Sequence, residues 1–170
     1  MKKIALLIVC LGFIPAVFWA AQDPASSKEE KEEVKPSVPD LLKREQEGEP
    51  LTTEMHFILG LDAYDRGDME EAARRFGISA SKGKGSEAYN KWGLALSDLA
   101  EMKGDEALFR ESFDKFAEAV RLEPDDHEAY YNWGVALVNL AMMKEDEVLL
   151  RESFTKFAED VRLNPDYHHA

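Results

Sequence analysis

Residues 86–126 read SEAYNKWGLALSDLAEMKGDEALFRESFDKFAEAVRLEPDD, and residues 127–167 read HEAYYNWGVALVNLAMMKEDEVLLRESFTKFAEDVRLNPDY. Aligned without a gap, the two stretches are identical at 27 of 41 positions. Unrelated segments of this composition would share far fewer, so the chain contains one unit written twice.

Each unit predicts two amphipathic helices, because its large apolar residues recur at the spacing of one helix face in each half. In the first unit these residues are Trp92, Leu96 and Leu99, then Phe113, Phe116 and Val120. Gly104 and Asp105 separate the two helices, and Pro124 ends the unit, since proline cannot continue a helix.

These units resemble the tetratricopeptide repeat (TPR) family, whose pattern places Leu or Trp, Gly, small and aromatic residues at fixed positions before a final Pro. In the first unit the matching residues are Tyr89, Trp92, Gly93, Leu96, Ser112, Phe116, Ala119 and Pro124. In the second they are Tyr130, Trp133, Gly134, Leu137, Ser153, Phe157, Asp160 and Pro165. Asp160 departs from the pattern, because a small apolar residue is expected there.

The units also depart from the family in length, since 41 residues exceed the usual 34 by seven. Seven residues are about two helical turns, so one extra turn in each helix would keep both apolar faces in phase. A seven-residue loop is the alternative. The segments 100–103 and 106–110 contain no proline or glycine, which favours longer helices.

A third, more divergent copy of ordinary length precedes the two, with Leu59-Gly60, Gly67-Asp68, Ala72 and Phe76 at the family's positions. Residues 82–85, Lys-Gly-Lys-Gly, follow it. They lack the preceding strand and the Gly-Lys-Ser/Thr ending of a phosphate loop, so we interpret them as a turn. The resemblance therefore implies an all-α, short right-handed α-solenoid of three helix-turn-helix repeats, at about 53–85, 86–126 and 127–167.

The first 21 residues predict export. Lys2 and Lys3 precede the uncharged, apolar run 4–21, which is the layout of a secretory signal. Eighteen apolar residues also reach the lower limit for a membrane-spanning helix, so a cleaved signal and a retained anchor both stay open. In either case we expect the remainder to work outside the cytoplasm, in the periplasm, with membrane contact only through 4–21.

Residues 22–50 predict a disordered linker, and residues 51–170 the folded TPR domain. Within the linker, a short helix of one or two turns at residues 40–45, or docking of this stretch on the first repeat, stays open as an alternative. The segment 22–50 holds four of the chain's seven prolines and a cluster of alternating Lys and Glu. Such a composition buries too little apolar area to offset the entropy of ordering.

The net charge of −13 argues against nucleic acid as a partner and weakly favours a basic one. The four histidines and the single cysteine are not spaced as metal ligands, and no nucleophile motif is present. We therefore expect no enzymatic activity, no cofactor and no metal.

TPR arrays usually bind an extended peptide or a partner helix in a concave groove lined by the first helix of each repeat. The resemblance implies that the groove residues here include Phe57, Leu61, Glu87, Asn90, Lys91, Asp98, Glu128, Tyr131, Asn132 and Asn139. The predicted function is thus a non-catalytic protein-interaction module, a scaffold or adaptor that binds a protein or peptide.

The alternative is a structural unit that forms homo-oligomers through the open ends of its helical stack. Solenoids need a polar outer cap, yet the sequence ends shortly after Pro165. We expect Leu149, Phe154 and Val161 to remain exposed on the last helix.

Overall fold

The computed structural model describes residues 36–165, and all of its regular structure in that range is helical. The seven α-helices are α1 (Val38–Gln46), α2 (Thr53–Asp65), α3 (Met69–Ser79), α4 (Ser86–Lys103), α5 (Glu106–Leu122), α6 (His127–Lys144) and α7 (Glu147–Leu163). Helices α2 to α7 form three pairs, each of which packs on the next. The prediction of an all-α solenoid of three repeats is confirmed.

The helices of the two longer repeats extend as predicted. Helices α4 and α6 have 18 residues each, and α5 and α7 have 17 each, whereas α2 and α3 of the ordinary repeat have 13 and 11. The additional residues therefore lengthen the helices rather than the loop between them.

Within a pair, the two helices approach closely at a glycine. A Cβ on Gly93 would lie 2.8 Å from the ring of Phe116, and a Cβ on Gly134 would lie 2.6 Å from the ring of Phe157. Atoms cannot pack at these separations, so only glycine lets each first helix accept the aromatic ring of the second. This contact explains why the Gly and Phe recur together in the sequence.

Aspartate side chains begin the second helices. Asp105 accepts a hydrogen bond from the Ala107 amide at 2.8 Å, and Asp146 accepts one from the Val148 amide at the same distance. These N-caps satisfy backbone donors that have no partner inside the helix. Both second helices therefore start at the same point of the unit.

The turn after α3 is a π-helical segment, Ala80–Lys84, followed by Gly85. Gly83 and Gly85 have φ angles of 108° and 74°, which favour glycine over other residues. The residues that resemble a phosphate loop thus form the connection between the first and second repeats.

Helix α1 lies inside the range that we predicted as linker, so that prediction is wrong for residues 38–46. Leu41 is fully buried against the rest of the domain. The Arg75 guanidinium on α3 donates to both carboxylate oxygens of Glu45, at 2.8 and 2.6 Å. A buried leucine and a bidentate ion pair hold α1 on the first repeat, which adds an element to that end of the domain.

The two ends of the described stack differ, because α1 packs on α2 at one end whereas α7 is the last helix described at the other. A head-to-tail array needs two open ends, so α1 argues against that form of self-assembly. The predicted leader, residues 1–21, lies outside the described residues, as do residues 22–35 of the predicted linker. Among residues 36–165, none of the helices combines the length and apolar character that spanning a membrane requires.

Candidate functional site

Helices α2, α4 and α6 are the first helices of the three repeats, and the predicted groove lies on the face that they form. We call it the first-helix face. Polar side chains join neighbouring helices across it. The Lys91 Nζ donates to Glu128 Oε1 at 2.6 Å, and the Asn139 amide donates to Glu101 Oε2 at 3.0 Å. These contacts tie α4 to α6.

The fifth residue of the first helix is buried in the first two repeats and exposed in the third. Phe57 is 5% exposed and packs against Phe76, and Asn90 is 3% exposed and accepts a hydrogen bond from the Asn132 amide. Tyr131, the third of these residues, is 47% exposed. It belongs to the last repeat, so no further first helix among the described residues covers it.

This burial corrects the predicted groove. Phe57 and Asn90 are core residues that cannot reach a partner on the surface, and Asn132 is held in the bond to Asn90. Leu61 and Tyr131 are exposed apolar residues of the first-helix face. The structure thus separates the predicted residues into a buried group and an accessible one.

The remaining predicted residues stay at the surface. Lys91 and Glu128 pair with each other, and Asn139 is bonded to Glu101. Glu87 is exposed in the first turn of α4.

Two carboxylates one helical turn apart on α4, Asp98 and Glu101, form the most distinctive feature of this face; we call them the acidic pair. Asp98 accepts a hydrogen bond from the Tyr64 hydroxyl of α2, and Glu101 accepts from the Asn139 amide of α6. Residues from all three first helices therefore meet at this pair.

Burial raises the pKa of the Asp98 carboxyl above its usual range, and the neighbouring Glu101 charge raises that pKa further. The hydrogen bond from Tyr64 opposes both effects. Burial also raises the pKa of the Tyr64 phenol, followed in effect by its bond to Asp98, so the hydroxyl remains protonated and donates. The Asp98 charge is thus poorly solvated and would be stabilised by a cation.

The acidic pair differs in its partners from the acids of the domain that form ion pairs with lysine or arginine. Glu71 is bonded to Arg74, Glu106 to Lys144 and Glu118 to Arg121. The donors to Asp98 and Glu101 are a phenol and an amide, which are neutral. A lysine or arginine side chain from a partner would supply the positive charge that these two carboxylates lack.

Sequence reasoning found part of this arrangement. Asp98 occupies a groove position by the family pattern, but Tyr64 and Glu101 do not appear among the predicted site residues. The acidic residues one turn apart on one helix, at 98 and 101, were the available signal. The contribution of Tyr64 from the previous repeat depends on how the two unequal repeats stack.

One family model matches the chain over residues 65–166, more than half of its length: TOM20_plant, described as "Plant specific mitochondrial import receptor subunit TOM20". No curated protein matches the chain. The matched range contains α3 to α7 entirely, and with them both 41-residue units except residue 167.

This match corrects the predicted location. The description names mitochondria, which contradicts an exported periplasmic protein, and the prediction of export to a cell envelope is wrong. A receptor has a non-enzymatic role and acts through protein contacts, which agrees with a non-catalytic interaction module. The resemblance to TPR units holds at the level of helical repeats, and the chain belongs to the TOM20_plant family of import receptor subunits.

Proposed function

We propose that this domain is a receptor module that binds a basic segment of another protein on its first-helix face. The observation that carries the proposal is the acidic pair, whose two carboxylates have neutral donors as partners. A lysine or arginine at this point would pair with Asp98 and Glu101 and offset the cost of burying Asp98. The family's description as an import receptor supports a protein as the partner.

Apolar contact would accompany the charges. Leu61 is exposed on α2, about one turn from Tyr64, and Leu94 lies partly exposed one turn before Asp98 on α4. A partner helix with basic and apolar residues on one side would meet both kinds of group. The net charge of −13 would also attract such a segment at long range.

Fluorescence anisotropy with a labelled basic amphipathic peptide, built from leucine, arginine and serine, tests the proposal. The double variant Asp98→Asn, Glu101→Gln keeps the side-chain shapes and removes two charges. We expect it to weaken binding by about tenfold or more, about 1.4 kcal/mol, and to reduce the dependence of affinity on salt.

The matched control is Glu111→Gln with Glu118→Gln, which removes two charges from α5, a second helix. We expect its affinity to stay within about twofold of the wild type, because distant exposed charges are screened. Equal losses in both double variants would attribute binding to net charge alone. That result would contradict a site at the acidic pair.

A further inference from the structure

The C-terminal end of the stack exposes an apolar surface, which we call the end face. It consists of Met142, Leu150, Phe154 and Val161. Phe154 is 64% exposed, whereas its counterpart in the previous unit, Phe113, packs against a buried cluster. At Leu150 and Phe154 the end face therefore repeats a surface that is covered one unit earlier.

The previous unit shows what covers such a surface. Leu140 of α6 packs with Ala100 and Phe109 in one buried cluster. One turn later on the same helix, Lys144 Nζ donates to Glu106 Oε2 at 2.5 Å. An apolar contact and an ion pair, four residues apart on one helix, join α6 to the preceding repeat, residues 86–126.

An ion pair at the same position joins the second repeat, residues 86–126, to the first, residues 53–85. Leu99 is buried on α4, and Lys103, four residues later, donates to Glu70 in the first turn of α3. In both repeats a lysine one turn after a buried leucine therefore forms an ion pair with the preceding repeat. In each case the acid lies at the start of a second helix, where it also favours the helix dipole.

The residues that contact Leu140 and Lys144 in the preceding repeat have counterparts at the end face. Ala141, Leu150 and Glu147 are the counterparts of Ala100, Phe109 and Glu106. They line an open pocket of about 380 Å³ together with Met142, Glu145 and Asp146. Glu147 is largely exposed and forms an ion pair with Arg151 of the same helix at 3.4 Å.

We propose that the end face binds an α-helix of another protein that carries a leucine and, four residues later, a lysine. The leucine would fill the pocket between Ala141 and Leu150, and the lysine would bind Glu147. The remainder of the helix would cover Phe154 and Val161, as α6 covers the preceding unit. This surface is separate from the acidic pair, so the inference does not depend on the proposed function.

A labelled peptide with the sequence of residues 127–144 is the probe, because α6 is the helix that carries this pairing in the chain. Its binding to the full chain is measured by anisotropy. We expect saturable binding that Glu147→Lys weakens by about tenfold or more. A peptide with Lys144→Glu should bind the wild type weakly and recover affinity for the Glu147→Lys protein.

Two control variants distinguish other sites for the peptide. If the peptide displaced α6 within the chain, Glu106→Lys would abolish binding and Glu147→Lys would not. If it bound the first-helix face, the Asp98→Asn, Glu101→Gln variant would lose it. Either pattern, or no binding to the wild type, would overturn the proposal.

A second copy of the chain is the competing occupant. Sedimentation velocity at increasing protein concentration, with the wild type and Phe154→Glu, tests it. We expect a monomer in both cases, because the end face needs the leucine–lysine helix, and α4 and α6 are folded into the stack. A dimer that Phe154→Glu abolishes would assign the surface to self-association and contradict the proposal.

Discussion

Gly104 and Glu145 occupy the same position of the two 41-residue units. They have the same backbone conformation, but only Glu145 carries a side chain. Both end a first helix in the left-handed region, with φ of 63° and 54°. A residue with a Cβ is strained there by about 1 kcal/mol. We expect Glu145→Gly to stabilise the protein by about 1 kcal/mol and Gly104→Ala to destabilise it by a similar amount, as measured by urea unfolding. An unchanged or lower stability of Glu145→Gly would show that the side chain compensates for the strain.

Asp160, the departure from the family pattern, has a structural partner. Its Oδ1 lies 3.1 Å from His127 Nδ1, and Asn164 Nδ2 lies 3.2 Å from His127 Nε2. The counterparts in the previous unit are Ser86 and Ala119. The buried Asp160 is therefore explained by its contact with His127, the first residue of the third repeat.

We expect Asp160→Ala to destabilise the protein by about 1–3 kcal/mol, because it removes the partner of His127. Adding His127→Ser, which restores the Ser and Ala found at positions 86 and 119 of the preceding repeat, should recover part of that loss. Thermal unfolding of the two single variants and the double variant measures the coupling. Additive losses would show that the two side chains do not act together.

At the scale of elements, α1 depends on an ion pair that titrates with acid. Hydrogen bonding to Arg75 lowers the pKa of Glu45 below its ordinary range. Hydrogen bonding to Arg74, and then to Arg75, lowers the pKa of Glu71 to about 2. Because the folded pKa values are depressed, the stability that these pairs contribute is present above the ordinary value of 4.5 and is lost as pH falls below it.

We expect Glu45→Gln to lower the melting temperature at pH 7 and to approach the wild type as the pH falls from about 4.5 toward 2. Amide exchange in α1 at pH 7 should also increase, since the helix loses its bidentate partner. Lys43→Gln, an exposed change on the same helix, is the control. A difference in melting temperature that stays constant over this pH range would contradict the role of the Glu45–Arg75 pair.

Helix α1 also shows which part of the fold could not be predicted from the sequence pattern alone. Its nine residues lie next to a Pro- and Glu-rich segment, and such a short helix is marginal by itself. Leu41 and Glu45 order it only because α2 and α3 supply a buried surface and Arg75. The long helices α4 to α7, by contrast, were predictable because their apolar faces recur in two copies.

Over the whole molecule, the stacking of repeats decides which predicted site residues are accessible. The family pattern placed Phe57, Asn90 and Tyr131 on one face, but the first two are buried, Phe57 against Phe76 of α3 and Asn90 in its bond to Asn132 of α6. The acidic pair draws Tyr64 and Asn139 from neighbouring repeats, whose relative positions no single-unit pattern contains. The sequence could therefore predict the helices and the acidic character of the site, but not the set of residues that meets there.

The central claim is that a basic protein segment binds the first-helix face at the acidic pair. Nitrogen-15 NMR of the labelled protein, titrated with the leucine-arginine-serine peptide, tests it directly. We predict the largest shift changes in α4 around Asp98 and Glu101, with smaller changes near Tyr64 and the side-chain amide of Asn139. Shift changes confined to α5 and α7, or spread evenly over all acidic surfaces, would contradict the claim.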